Sequence, residues 1–178
     1  QQLQRMGWTW LEGDVDVPEL TERENFRELL LKEWLATALR KLNLRDGQPW
    51  LDDTRIARAI RDLEQAAGHR LMEVNQSATE LLLKGTVTDG LPDWNQGRPQ
   101  PIRFIDCEIW QNNDFLVINQ FKVELASGRE HVIPDAVLFV NGIPLGQKPR
   151  HRKPAARGDQ SSPAVLESTA RTVPVDVL

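Results

Sequence analysis

The stretch from His131 to Leu145, HVIPDAVLFVNGIPL, constrains the fold more than any other. Val137, Leu138, Phe139 and Val140 form a short apolar run rich in strand formers. Asn141-Gly142 follows at once. This dipeptide tolerates the positive φ angles of a type I′ turn best. Ile143-Pro144-Leu145 then begins a return strand. The chain is therefore expected to make a β-hairpin here, with Asp135 carried inside its first strand behind Pro134.

An acid in an otherwise apolar strand must be solvated, paired or bound to a cation, because burying a bare carboxylate is costly. Two readings of Asp135 stand at this point. It is a strand-end acid facing water, since proline favours strand edges. Or it is a ligand for Mg²⁺, which takes few carboxylates and keeps waters for chemistry. A two-residue turn would place a residue close to Lys148 opposite Asp135. The segment there, Gln147-Lys148-Pro149-Arg150-His151, contains no carboxylate and puts a proline where a strand should continue.

The 178 residues suffice for one domain with a core. Net charge is −4, but it is unevenly spread. Residues 146–178 hold six Lys or Arg against three acids, which leaves −7 on residues 1–145. That tail has four prolines and no aromatics, a composition that cannot bury a core. The expected organisation is a domain over 1–145 and a divergent, disordered tail over 146–178. Cys107, the one cysteine, makes no internal disulfide and points to a reducing, cytoplasmic setting. No signal peptide or membrane-length apolar run is present, so no membrane partner is expected.

Read in order, Gln1 to Val17 looks like a helix end followed by a short extended piece, as if the chain starts inside an element. Thr21-Glu22-Arg23-Glu24 has a capping-box pattern, and Phe26, Leu30, Trp34 and Ala38 follow helical spacing, which predicts a helix over 22–43. Asp52-Asp53-Thr54 caps a second helix over 53–67, with Ile56, Ile60 and Leu63 on one face. Arg55, Arg58, Arg61 and Arg70 lie near this region and read either as phosphate contacts or, the commoner case, as a solvated face. A third helix is expected over 76–84, ended by Gly85. Thr86 to Pro99 reads as turns around Trp94. Strands are expected over 102–110, 115–125 and 132–140, a meander of antiparallel strands after helices. The class is α/β (α+β), a mixed, partly antiparallel sheet flanked by helices.

Cys107, His69, His131 and His151 have no zinc spacing, and neither a phosphate-binding G-x-x-x-x-G-K-[ST] loop nor a nucleophile elbow occurs.

Three stretches together resemble one family. They are Asn25-Phe26-Arg27-Glu28-Leu29-Leu30 with the leucines up to Leu42-Asn43, then Asn112 to Phe121, then Pro134 to Leu145. They look like the N-terminal nuclease domain of the type I restriction enzyme R subunit, over roughly 1 to 145 and in the right order. The resemblance implies a restriction-endonuclease-like fold of the PD-(D/E)xK kind and Mg²⁺-dependent cleavage of double-stranded DNA. Asp135 would be the metal-binding, catalytic aspartate. A glutamate and a lysine separated by one residue would follow on the return strand, the glutamate on the metal and the lysine on the attacking water. Modification and specificity subunits are the implied partners. ATP enters through motor domains that this chain does not include.

The departure is at the decisive place. Pro149 and His151 stand where the family pattern has glutamate and lysine, and no acid appears until Asp159. The abrupt change of composition after Leu145 suggests the hypothesis of a frameshifted or otherwise altered reading frame, which sequencing the encoding gene tests. Two functions are therefore carried forward. One is a type I site-specific deoxyribonuclease domain whose isolated chain is inactive, because it lacks the E-x-K half of the site. The other is a non-catalytic DNA-binding or subunit-assembly module on a nuclease-like fold. Mg²⁺ binding at Asp135 discriminates between them.

Overall fold

Asn141 and Gly142 have φ of 53° and 80°, and the hairpin closes there as the dipeptide requires. The structure, a computed structural model, describes residues 2–66, 81–124 and 130–148. Its elements in chain order are α1 (Gln2–Arg5), β1 (Thr9–Glu12), α2 (Lys32–Leu42), β2 (Leu44–Arg45), β3 (Gln48–Pro49), α3 (Asp53–Ala66), β4 (Thr86–Asp89), β5 (Pro99–Ile102), β6 (Phe115–Asn119), β7 (Val123–Glu124), β8 (His131–Val132), β9 (Ala136–Val140) and β10 (Ile143–Lys148). The main sheet has the order β1-β6-β9-β10. β1 runs parallel to β6, and the other two pairings are antiparallel. The class is α/β with a mixed sheet and helices, as expected. No helix among the described residues is long and apolar enough to cross a membrane.

Register assigns the sheet's faces. Leu116 pairs with Phe139 and Ile118 with Val137. All four are buried in one cluster with Leu31 and Phe121, because side chains directly opposite share a face. Phe121 and Phe139 meet edge to face at 5.1 Å between ring centroids. A second cluster joins Leu35 and Leu39 of α2 to Ile56, Ala59, Ile60 and Leu63 of α3, with Ile102, Phe104 and Ile143. Helix α2 thus serves both clusters, and the hairpin tip meets its first turn. The Leu31 N–H donates to Gly142 O at 2.9 Å. A Cβ on Gly142 would lie 2.5 Å from Leu31 O and 2.9 Å from Leu35 N, so glycine is demanded by both φ and space.

Several sequence expectations are corrected. The predicted helix over 22–43 is helical only from Lys32. Glu22 is left-handed with φ 57°, and the residues up to Leu31 form a strap. Tertiary bonds replace the helical ladder there. Leu31 gives its N–H to Gly142, and the buried Arg23 Nη1 donates to Glu28 O at 3.1 Å and Lys122 O at 3.0 Å. The strand predicted over 102–110 ends at Ile102. Beyond it the Asp106 carboxylate accepts the N–H groups of Glu108 and Ile109 and turns the chain. The strand predicted over 115–125 breaks after Asn119, where Gln120 has φ 48°. Residues 86–99, read as turns, contribute β4 and the start of β5, which pair as an antiparallel hairpin. The meander is also interrupted, since β1 joins the sheet in parallel and β7 with β8 forms a separate pair.

Helix α3 agrees with its expected span, and Asp52 caps it by accepting the Arg55 N–H at 2.8 Å. Two of its arginines make structural pairs: Arg55 donates to Asp52, Asp89 O and Gly90 O, and Arg58 pairs with Asp89. Of the helix expected over 76–84, residues 81–84 are helical, and the Gly85 N–H donates to Leu81 O. The start of that helix and tail residues 149–178 lie outside the described residues.

Candidate active site

Asp135 occupies a bend immediately before β9, between the buried Pro134 and Ala136, the first residue of the strand. It is not inside the strand, as the alternation had suggested. Proline explains the difference: lacking an N–H, it keeps the ladder from starting before Ala136. Asp135 is exposed. It sits at the end of the sheet opposite the hairpin tip, one position beyond the row Glu12, Asn119, Ala136 and Lys148 that register draws across the four strands.

The return strand is offset from the simple hairpin count. The pairing shifts between Pro144 and Gly146, so Lys148 faces Ala136 rather than Asp135. A bulge adds one residue to one strand and leaves its partner unchanged. The residue that would continue the register opposite Asp135 is Pro149, which lies outside the described residues together with His151.

The rim beside Asp135 is fixed from behind. Asn119 Oδ1 accepts the Gly13 N–H at 3.0 Å, and Lys122 Nζ donates to Val15 O at 3.0 Å. Both bonds tie the segment after β1 to the end of β6. The Arg23 guanidinium lies 3.7 Å from the Phe121 ring centroid, while its Nε donates to Thr21 Oγ1 at 2.7 Å. Burial lowers the Arg23 pKa to about 10, against the opposing pull of Glu28. It remains a cation at any physiological pH.

The chemistry on offer for a divalent cation is thin. Among the described residues no group of three or more His, Cys, Asp or Glu is placed to hold a metal ion. Glu12 stands at the same end of the sheet as Asp135 but two strands away from β9, roughly 10 Å by strand spacing. The described residues therefore do not fit a complete Mg²⁺ site.

Sequence reasoning missed the buried polar cluster at the other end of the sheet. Asn141, fully buried, donates through Nδ2 to Phe104 O at 2.8 Å, and its Oδ1 accepts the Asp114 N–H at 2.8 Å. Asn113 Nδ2 donates to Asp106 O and to Trp110 O. The Asp106 carboxylate is held below its ordinary range by the Ile109 N–H, then by the Asn112 amide and the Glu108 N–H, which outweigh desolvation. The available signal was the recurrence of Asn beside apolar strands at 112, 113 and 141.

Comparison with known proteins agrees with the resemblance read from the motifs. The family model of the type I restriction enzyme R protein N terminus matches residues 1–147. The chain is similar to the type I restriction enzyme HindI endonuclease subunit of Haemophilus influenzae, at 31% identity over 147 residues. It is also similar, at 29% identity over 147 residues, to a protein of Methanocaldococcus jannaschii named as the MjaIXP endonuclease subunit of a type I restriction enzyme. Each match covers 82% of this chain but 13% of the relative, so the chain spans about an eighth of the length of these curated relatives.

Proposed function

Because the chain belongs to the family of type I restriction enzyme R protein N termini, we propose that residues 1–147 are by origin the endonuclease domain of such a subunit, built to cut double-stranded DNA with Mg²⁺. Asp135 is the residue assigned to the metal. The observation that carries this reading is its position: an exposed carboxylate at the mouth of β9, beside the strand that would supply a second acid. Phosphodiester hydrolysis needs a cation to stabilise charge on the phosphate and a water activated beside it. Mg²⁺ would supply that charge; the protein's part is to hold Asp135 against a rigid sheet end.

Chain 1–178 lacks the other half. Pro149 and His151 stand where the family pattern implies an acid and a lysine, so that pattern gives Asp135 no second acidic ligand. The domain therefore holds Mg²⁺ weakly and does not cut. Binding of DNA or of modification and specificity subunits is the function left to it, and ATP-driven steps belong to motor domains elsewhere in such subunits. Incubating purified 1–178 with supercoiled plasmid and Mg²⁺ tests this. No nicking is expected, and robust cutting that Asp135→Ala abolishes would refute the assignment of an incomplete site.

A further inference from the structure

We propose that the groove between the α2–α3 connection and the β4–β5 hairpin binds one unpaired nucleotide of a DNA strand, with its base against Trp94 and its phosphate on Arg103. The proposal shares the ligand class of the nuclease reading but needs no metal at Asp135. The groove is a cavity of about 460 Å³ lined by Trp50, Trp94, Lys84, Gln100, Arg103 and Leu44 among others. Among the described residues its lining carries two cations and no carboxylate. Trp50 and Trp94 meet edge to face at 5.1 Å, and the Arg45 guanidinium lies over one face of the Trp94 ring, 4.9 Å from its centroid, which leaves the rest of the ring for a base. Aromatic rings bordered by cations are how proteins hold single nucleotides without reading sequence.

Arg103 is displayed from a rigid point. Its flanking residues Ile102 and Phe104 are fully buried, while Arg103 itself is exposed. The side chain of the buried Asn43 clamps its backbone: Asn43 Oδ1 accepts the Arg103 N–H at 2.8 Å, and Nδ2 donates to Arg103 O at 3.0 Å. Asn43 also donates to Leu39 O, which ties the clamp to the end of α2. The backbone that carries the Arg103 side chain therefore needs no reordering on binding.

The size of the site selects its ligand. Across Arg103 a second cavity, of about 380 Å³, is lined by Asp106 and Glu108 beside Lys41. There the carboxylates balance the charge of Lys41 and Arg103, so the positive lining does not continue and the groove is no track for a duplex backbone. A concave pocket of this volume accepts a base turned out of a stack. It also lies at the hairpin-tip end of the sheet, because the Phe104 carbonyl accepts from Asn141. The length of β9 alone puts about 17 Å between it and Asp135.

The test is fluorescence anisotropy of a labelled short oligothymidylate titrated with the full chain. Trp94→Ala and Arg103→Ala are each expected to weaken binding about 10-fold or more. Asp135→Ala should bind like the unaltered chain, which separates this site from the proposed nuclease site. Trp94→Phe, which keeps a ring, should retain most of the affinity, and with Arg103→Gln it decides the matter if Trp94→Ala does not fold. Unchanged binding in both the Trp94 and Arg103 variants would place the DNA on the basic tail and overturn the proposal. Equal affinity for a duplex of the same length would overturn the assignment to an unpaired nucleotide.

Discussion

The Asn141 side-chain amide donates to Asn113 Oδ1 at 2.9 Å, joining the hairpin turn to the turn before β6 across 28 positions of sequence. Asn113 Oδ1 also accepts the Asp106 N–H. One asparagine therefore closes the tight turn through its own backbone and knits three loops through its side chain. A buried polar network of this kind rigidifies only when every member is satisfied.

Asn141→Ala removes donors to Phe104 O and Asn113 Oδ1 and leaves the Asp114 N–H without its acceptor. Each buried group left unmatched costs about 1–3 kcal/mol. Urea unfolding should show a loss of about 3 kcal/mol, with an unchanged dependence on denaturant. Asn141→Asp should be no better, because it places an acceptor against the Phe104 carbonyl.

Gly142→Ala and Gly47→Ala form a matched pair. Both positions have positive φ, 80° and 77°. A Cβ at Gly47 meets nothing within 4 Å, whereas at Gly142 it collides with the backbone of α2. Gly47→Ala should cost about 1 kcal/mol, the left-handed penalty alone. Gly142→Ala should cost at least about 3 kcal/mol, because overpacking adds to that penalty. Equal thermal shifts would mean that the hairpin tip does not dock on α2 as described.

Asp106 sets an acid limb. Its carboxyl is held below the ordinary value of 3.8 by hydrogen bonds to its charged form. A folded-state pKa below the unfolded one contributes stability that is present above about pH 4 and is lost as the pH falls further. Asp106→Asn should therefore lower stability at neutral pH and flatten the pH dependence below pH 4. Unfolding curves taken from pH 2 to pH 7 check this. A limb of unchanged steepness in the variant would exclude Asp106 as its source.

Restoring the missing half of the site is the strongest test of the proposed origin. Pro149→Glu with His151→Lys returns the acid and lysine of the family pattern to the sequence after β10. Plasmid nicking dependent on Mg²⁺, above the level of the unaltered chain and absent when Asp135→Ala is added, is expected. Calorimetry should show tighter Mg²⁺ binding by the same double variant, and no gain in either measurement would count against Asp135 as the metal ligand.

Local chemistry made much of the scaffold legible. Asn141-Gly142 dictated the hairpin because few dipeptides accept two successive positive φ angles, and Asp52 announced α3 because a carboxylate satisfies the free N–H groups of a first turn. The motif stretches also identified the family, since order and spacing survive in sequence. Long-range competition for backbone groups decided the rest. The segment 22–31 has helical periodicity, yet its Leu31 N–H bonds Gly142 and its carbonyl at Glu28 bonds Arg23. The apparent strand after Ile102 is a loop because Asp106 captures its own backbone. The residue opposite Asp135 moved by one because a bulge sits between Pro144 and Gly146. Periodicity reports which residues can be buried, but a hydrogen-bonding partner more than a hundred residues away, as Gly142 is for Leu31, leaves no periodic trace. Only the folded chain brings the two groups within 2.9 Å.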